Sequence, residues 1–182
     1  PTQERTKLYR YFEDGASGLL MPLVDNVDEA RAIARSVKFP PIGNRGIDGA
    51  GLDADFALDV DNFTDNANAE TFVILQIETL NALQQAEEIA GVEGVDGIFV
   101  GPADLSLRLG LTEGAPSLNE AVEQVADAAA RQGKTWGIAG GGVEEWKQYR
   151  QMGAQLLIGA GDFALRDVLE DAKKMMDAAL GE

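Results

Sequence analysis

The sequence predicts an α/β fold, specifically part of an eight-stranded (β/α)8, or TIM, barrel. Apolar segments of strand length alternate with amphipathic segments of helix length along the whole 182-residue chain. The strand segments are apolar throughout and do not alternate with polar residues. That pattern is typical of a parallel sheet whose faces are covered by helices.

The N-terminal part of the chain predicts a helix, a buried strand and a second helix. Residues 7–14 carry apolar side chains at helical spacing, and a glycine follows them. Residues 18–24 form a short apolar run of buried-strand length. A second amphipathic helix extends to about Val37, and Pro40 and Pro41 then prevent its continuation.

The periodic pattern is lost over residues 43–70, a segment with four glycines and six aspartates and only a weak helix signal near its end. It is longer than an ordinary connector between elements. We therefore predict that residues 43–70 form either a functional loop, specifically a long active-site loop, or a flexible one.

Regular alternation returns after this segment and continues to the C-terminus. The predicted strands cover residues 72–77, 97–100, 135–139 and 156–158, and the predicted helices cover residues 80–90, 118–132, 143–152 and 163–180.

Two architectures fit this order of elements, an open doubly wound sheet and a barrel. An open sheet usually has a glycine-rich phosphate loop after its first strand, but here that strand ends in Met-Pro-Leu-Val-Asp. A full barrel takes about 250 residues. We therefore expect residues 1–182 to be the C-terminal two-thirds of a single barrel, covering about five of its eight strands.

Composition excludes several classes of function. Lys and Arg number 15 against 31 Asp and Glu, so the formal charge is -16. Such a surface repels nucleic-acid phosphates and anionic lipids, and no apolar run approaches the ~18 residues of a membrane span. We expect a cytoplasmic protein that binds neither nucleic acid nor membranes.

The chain has no Cys and no His, which rules out thiolate and imidazole chemistry from its own residues. A metal ion would have to be bound by oxygen, which favours hard divalent ions such as Mg or Mn. Of the six lysines, only Lys134 adjoins a predicted strand, at the N-terminal end of that strand. The chain therefore offers no Schiff-base lysine at a barrel mouth.

Carboxylates follow two consecutive predicted strands, Glu78 after one and Asp104 after the next. Function in barrels collects at the C-terminal ends of the strands, and neighbouring strands lie ~4.8 Å apart. The two carboxylates can therefore bind one ion between them. Each is equally able to cap the helix that follows it. Gln76 lies on the same side of its strand as Glu78. Its side chain either contacts a ligand or makes an internal hydrogen bond.

Three further features each allow two interpretations. The strings Gly140-Gly141-Gly142 and Gly159-Ala160-Gly161 suit a phosphate site. They equally suit simple tight turns, which we favour slightly. Arg45 suits an anionic substrate or a neighbouring acid. Asp14 lies at the C-terminal end of a helix, where a negative charge interacts unfavourably with the helix dipole. It either orients another group or is a solvated surface acid.

Several strings of residues together resemble the HpcH/HpaI aldolase family of metal-dependent pyruvate aldolases. This family includes the 4-hydroxy-2-oxoheptanedioate and 2-keto-3-deoxyglucarate aldolases. The order and spacing of the strings match over nearly the whole chain. The most specific are Gln76-Ile77-Glu78-Thr79 and, about 25 residues later, Gly101-Pro102-Ala103-Asp104-Leu105-Ser106.

The resemblance implies a (β/α)8 barrel in a homo-oligomer, such as a hexamer, that exchanges its last helix between subunits. It implies a lyase that joins pyruvate to an aldehyde or cleaves 4-hydroxy-2-oxo acids, with Mg, Mn or Co as cofactor. Glu78 and Asp104 match the metal ligands. Gln76 matches a residue beside pyruvate, and Ala103 with Asp104 matches the backbone that receives its carboxylate. Asp14 matches the acid that pairs with a catalytic histidine.

The chain departs from the family pattern in two ways. The histidine base and an arginine that stabilises the enolate belong to earlier strands, outside residues 1–182. Ala139, after the motif of the seventh barrel strand, replaces a larger apolar residue. Two alternatives therefore stay open: a citrate lyase β-type acyl-CoA lyase, whose CoA phosphates the acidity disfavours, and a truncated, inactive barrel with only an assembly role.

Overall fold

A computed structural model of the protein describes residues 4–58, 61–159 and 161–181. Its five strands form one parallel sheet in the order β1-β2-β3-β4-β5, so every strand pairs with the strand that precedes or follows it in the chain. This order confirms the predicted α/β arrangement and excludes an open doubly wound sheet. The strands are β1 (Gly18–Val24), β2 (Phe72–Ile77), β3 (Gly97–Val100), β4 (Thr135–Ala139) and β5 (Leu156–Ile158).

Helices lie between the strands, mostly where the sequence predicts them. The predicted helix over residues 80–90 is divided into two short helices at Gln85. The helix over residues 102–110 was not predicted, although Pro102 is at a position that favours a helix start. The helices are α1 (Arg5–Glu13), α2 (Val27–Val37), α3 (Phe63–Glu70), α4 (Leu80–Gln84), α5 (Ala86–Ala90), α6 (Pro102–Gly110), α7 (Leu118–Arg131), α8 (Val143–Gln151) and α9 (Asp162–Leu180).

A few predictions fall outside the described residues. Residues 59 and 60 of the predicted long loop and Ala160 of the second glycine turn are among them, as are residues 1–3 and 182 of the predicted barrel segment.

The core lies between one face of the sheet and the helices that cover it. Val73, Leu75 and Ile77 of β2 are fully buried there. In β1 the side chains alternate: Met21 packs in the core, whereas Leu20 is 39% exposed on the opposite face. The sheet thus has one face covered by helices within this chain and one that is partly open.

The long segment over residues 43–70 contains a 3-10 helix (Leu52–Ala57) and α3. It connects the end of α2 to the start of β2, so it lies at the N-terminal edge of the sheet. Lys38 anchors this edge, because its buried Nζ donates to the Thr71 carbonyl at 2.5 Å and lies 3.7 Å from the Asp96 carboxylate. The structure therefore separates this segment from the C-terminal strand ends.

The last helix, α9, carries an exposed apolar surface, with Leu165, Val168 and Leu169 each more than 60% exposed. Among the described residues, none of the helices combines the length and apolar character needed to cross a lipid bilayer.

Close approach of β4 and β5 at Gly137 gives a first prediction. A Cβ at residue 137 would lie 2.7 Å from the Leu156 Cβ on the neighbouring strand. Gly137→Ala should therefore lower the free energy of unfolding in urea by about 1–3 kcal/mol. Gly141→Ala is the matched control, because a Cβ there meets nothing within 4 Å, and we expect a change within about 0.5 kcal/mol. Equal losses in both variants would contradict the packing argument.

Candidate active site at the C-terminal ends of the strands

Glu78, which directly follows β2, is the centre of the candidate site. Its side chain is buried, with 6% exposure. One carboxylate oxygen, Oε2, accepts the Leu23 N–H at 2.8 Å, and the other, Oε1, accepts the Gln76 side-chain amide at 3.1 Å. The internal hydrogen bond considered for Gln76 is therefore formed, and its partner is the predicted metal ligand.

An irregularity in β1 directs the Leu23 amide towards Glu78. The register between β1 and β2 shifts between Met21 and Val24, and Leu23 has a left-handed backbone with φ of 55°. For a residue with a Cβ, this conformation costs roughly 1–2 kcal/mol. This contact could not be predicted from the sequence, because a backbone donor has no side-chain signature. Pro22 inside the strand was the only signal of a bulge.

Gly101, at the end of β3, provides the space that the Glu78 side chain occupies. A Cβ at residue 101 would lie 2.7 Å from the Glu78 Cδ, far closer than two carbon atoms approach. The glycine at the head of the Gly-Pro-Ala-Asp string thus allows a buried carboxylate beside it.

The surroundings of Glu78 do not fully compensate its charge. Burial raises the pKa of the Glu78 carboxyl above its usual value, and the nearby Asp104 carboxylate raises it further, against the opposing effects of the Leu23 N–H and Arg108. A cation at this position would offset the cost of the buried negative charge.

Asp104 lies in the first turn of α6, at the same edge of the sheet. Its side chain is half exposed, and Oδ1 accepts the Arg108 Nη1 at 2.7 Å. This first-turn position agrees with the helix-start role considered for Asp104. Glu78, in contrast, does not cap α4: Thr79 does, because its hydroxyl oxygen accepts the Ala82 N–H at 3.0 Å.

Asp25, which follows β1, is a further acid at this edge that the sequence analysis did not select. Its carboxylate accepts the Thr79 hydroxyl at 2.7 Å and the Asn81 amide at 3.0 Å. These two hydrogen bonds lower the pKa of the Asp25 carboxyl. Its position directly after a strand, like that of Glu78, was the signal that could have identified it.

Asp14 and Arg45 lie at the opposite edge of the sheet. Asp14 ends α1 four residues before β1, is exposed and lies 3.5 Å from Arg10. Because Gly18 at the start of β1 pairs with Phe72 at the start of β2, a six-residue strand of about 20 Å separates Asp14 from Glu78. The structure does not bring these two acids together within one chain.

Arg45 is buried in an ion pair with Asp53, and its guanidinium lies 4.5 Å from the centre of the Phe39 ring. These contacts support the pairing that the sequence left open for Arg45. Binding of an anionic substrate by Arg45 stays a prediction that its burial does not favour.

The glycines after β4 and β5 accommodate a tryptophan. The Trp146 indole N–H donates to the Gly140 carbonyl at 3.0 Å, and a Cβ at residue 159 would lie 2.8 Å from the Trp146 Cε2. The Gly141 N–H donates to the Glu145 carboxylate at 3.3 Å. These contacts support tight turns rather than a phosphate site.

The structure thus gathers Gln76, Glu78, Ala103 and Asp104 at one edge and leaves Asp14 and Arg45 elsewhere. Within the described ranges, no group of three or more Asp and Glu side chains is arranged to hold a metal ion. The site predicted from the sequence uses two carboxylates, those of Glu78 and Asp104. That these two residues bind a metal ion stays a prediction.

Comparisons with known proteins identify the family. The model of the HpcH/HpaI aldolase/citrate lyase family matches residues 3–164, so the chain belongs to this family. It is 39% identical over 138 residues to hydroxypyruvate/pyruvate aldolase of Sagittula stellata, covering 76% of this chain and 53% of that protein. It is 37% identical over 142 residues to 4-hydroxy-2-oxo-heptane-1,7-dioate aldolase of Escherichia coli, covering 77% and 54%. The chain therefore spans about half the length of these relatives.

Solved structures agree with this assignment. The HpcH/HpaI aldolase of Desulfitobacterium hafniense superposes with a TM-score of 0.85 at 30% identity, covering 96% of this chain and 69% of the other. The citrate synthase SbnG shares the fold, with a TM-score of 0.83 at 23% identity over 100% of this chain and 72% of the other. The five parallel strands are thus part of a TIM barrel, which confirms the predicted fold class.

The burial of Glu78 predicts how stability depends on pH. Because the pKa of Glu78 is raised in the folded state, its ionisation destabilises the fold, and this cost grows as pH rises through the folded-state pKa. Glu78→Gln should therefore raise the melting temperature at pH 8 in the presence of EDTA. The gain should shrink as the pH is lowered from 8 into the acid range, because the wild-type carboxyl becomes protonated as the pH falls through its raised pKa.

Melting curves of both proteins across this pH range test the idea. Glu87→Gln, at an exposed acid that pairs with Arg131, serves as the control and should show no such gain. A destabilised Glu78→Gln variant at pH 8 would contradict the electrostatic argument.

Proposed function

We propose that the protein acts as a class II pyruvate aldolase, which joins pyruvate reversibly to an aldehyde and cleaves 4-hydroxy-2-oxo acids. The observation that carries the proposal is the buried, incompletely compensated Glu78 carboxylate beside Asp104, at the C-terminal ends of β2 and β3. The similarity to named aldolases at 37–39% identity supports the same reaction class.

The residues at this edge fit a divalent metal ion. The negatively charged atoms that could ligate an ion are carboxylate oxygens, which bind Mg, Mn and Co. Gly101 leaves the space in which the Glu78 carboxylate lies. We propose that Glu78 and Asp104 hold the ion. When bound, such an ion supplies Lewis-acid stabilisation of the enolate form of a 2-oxo acid.

The start of α6 provides a place for the pyruvate carboxylate. The first N–H groups of a helix have no partner within the helix, and the helix dipole favours an anion there. In α6 these groups belong to Ala103 and Asp104, because Pro102 has no N–H. We propose that their amides bind the carboxylate. Gln76, whose side-chain amide donates to the Glu78 carboxylate at 3.1 Å, would orient Glu78 and contact the same pyruvate.

The base of the reaction is proposed to come from outside residues 1–182, since the chain contains no His. Asp14 would orient that base, as the family resemblance implies, only if the base reaches the N-terminal edge of this sheet. Arg45 would contact substrate only after leaving Asp53. The Arg45–Asp53 ion pair therefore favours a structural role in the proposed enzyme.

We further propose that the protein is a cytoplasmic homo-oligomer such as a hexamer. The exposed apolar side chains of α9 support association of this helix with another surface. The formal charge of -16 supports small-molecule substrates rather than nucleic acid or membranes as partners. It also disfavours a phosphate-rich acyl-CoA substrate, as a citrate lyase type of reaction would need.

Exchange of the pyruvate methyl protons for deuterium tests the proposal without a choice of aldehyde. In the intact protein with Mn²⁺, the exchange rate followed by proton NMR should fall by at least about a hundredfold in Glu78→Gln and in Asp104→Asn. Loss of either carboxylate leaves too little negative charge to hold the ion.

Glu87→Gln is the control, because Glu87 pairs with Arg131 on the helical surface and the substitution changes the net charge equally. It should exchange at the wild-type rate. Absence of metal-dependent exchange in the wild-type protein, or wild-type exchange in Glu78→Gln, would refute the aldolase assignment.

A further inference from the structure

Two chain segments meet on either side of the Glu78 carboxylate. The end of β1 supplies the Leu23 N–H that binds Oε2 at 2.8 Å. Two residues further on, Asp25 binds the turn that directly follows Glu78. Contacts between the end of β1 and the end of β2 therefore lie on both sides of the Glu78 carboxylate.

The hydrogen bonds of Asp25 fix that turn through two different side chains. Thr79 Oγ1 donates to Asp25 Oδ1 at 2.7 Å, and Asn81 Nδ2 donates to Asp25 Oδ2 at 3.0 Å. Both carboxylate oxygens are therefore occupied by residues within three positions of Glu78. Asp25 is itself fixed, because its N–H donates to the Glu29 carboxylate at 2.8 Å.

The network continues into the helices on both sides. The Thr79 hydroxyl also accepts the Ala82 N–H at 3.0 Å, and the Asn81 side-chain oxygen accepts the Gln85 amide at 2.8 Å. Gln85 in turn accepts the Val27 N–H at 3.2 Å. These hydrogen bonds connect the end of β1 and the start of α2 to the turn after β2.

This arrangement opposes the strain at Leu23. The left-handed conformation of Leu23 and the register shift of β1 are unfavourable for an isolated strand. Asp25 binds the 79–81 turn directly beyond this bulge, so it holds the bulge in the conformation that directs the amide at Glu78.

We propose that Asp25 is a positioning residue for Glu78, acting through Thr79 and Asn81. It fixes the turn and the bulge so that the Glu78 carboxylate points at the place where a divalent cation would bind, and it does not bind the cation itself. This inference rests on the proposed function, because it concerns the cation affinity of the same site.

The affinity of the intact protein for Mn²⁺, measured by electron paramagnetic resonance without substrate, tests the proposal. Asp25→Ala should weaken binding by about three- to tenfold, less than the loss typical when a direct hydrogen-bond partner of a ligand is removed. Asp28→Ala is the matched control: it removes the same charge from the same segment, at a side chain that is 88% exposed. Its affinity should equal that of the wild type.

Variants of Thr79, a hydrogen-bond partner of Asp25, distinguish an effect of the lost Asp25 charge from an effect on the position of Glu78. Thr79→Val removes both the hydrogen bond to Asp25 and the cap of α4 without changing any charge, and it should also weaken Mn²⁺ binding. Thr79→Ser keeps both hydrogen bonds and should retain the wild-type affinity. In the double variant of Asp25→Ala and Thr79→Val, the loss should be no larger than in Asp25→Ala alone. Additive losses, or wild-type affinity in Thr79→Val, would overturn positioning in favour of a simple charge effect.

Two measurements keep failure of the inference distinct from failure of the proposed function. Melting curves in EDTA identify any variant that does not fold. If Asp25→Ala fails in this way, Asn81→Ala breaks the second hydrogen bond without touching the cap of α4 and should weaken binding in its place. If Glu78→Gln abolishes Mn²⁺ binding but the variants at 25, 79 and 81 retain it, positioning is refuted and the cation site stands. If Glu78→Gln binds Mn²⁺ like wild type, both are refuted.

Discussion

The buried carboxylate of Glu78 is the constraint on which the arrangement of this edge depends. An ionised group that is 6% exposed needs hydrogen-bond donors and space, and the chain provides both from three consecutive strand ends. The bulge of β1 contributes the Leu23 amide, β2 contributes Gln76, and β3 ends at Gly101, where a side chain would displace the acid. These features have no evident purpose in packing alone, since the Leu23 conformation is unfavourable.

Parallel pairing in chain order makes this convergence possible. In a parallel sheet every strand delivers its following residue to the same edge, so Asp25, Glu78 and Asp104 arrive together although they are far apart in sequence. The Asp104 carboxylate repels the buried Glu78 carboxylate at this edge and raises its pKa. Arg108 counters part of this repulsion from the next turn of α6, where it binds Asp104 at 2.7 Å.

The sequence was sufficient for the features that follow from hydrophobic pattern and strand ends. Five apolar runs predicted the parallel strands, and residues placed directly after them predicted Glu78 and Asp104. The bulge at Leu23 and the short helix α6 were missed, because a backbone conformation and a helix that follows a strand without a gap leave little periodic signal. The packing of Trp146 over Gly140 and Gly159 was likewise invisible, since it joins separate turns.

The assignment of residues 43–70 and of Asp14 shows a different limit. Loop length predicted a functional or a flexible segment over residues 43–70, and in the fold this segment connects α2 to the start of β2, at the N-terminal edge of the sheet. The order of elements already contained that information, and Arg45 and Asp53 buried within the segment agree with it. The order of elements fixes the edge at which each connecting segment begins and ends, because it follows from chain direction alone. It places any chemistry of Glu78 at one end of the sheet and the long segment at the other. If Asp14 takes part in the reaction, it meets Glu78 only across a contact that one copy of this chain does not make.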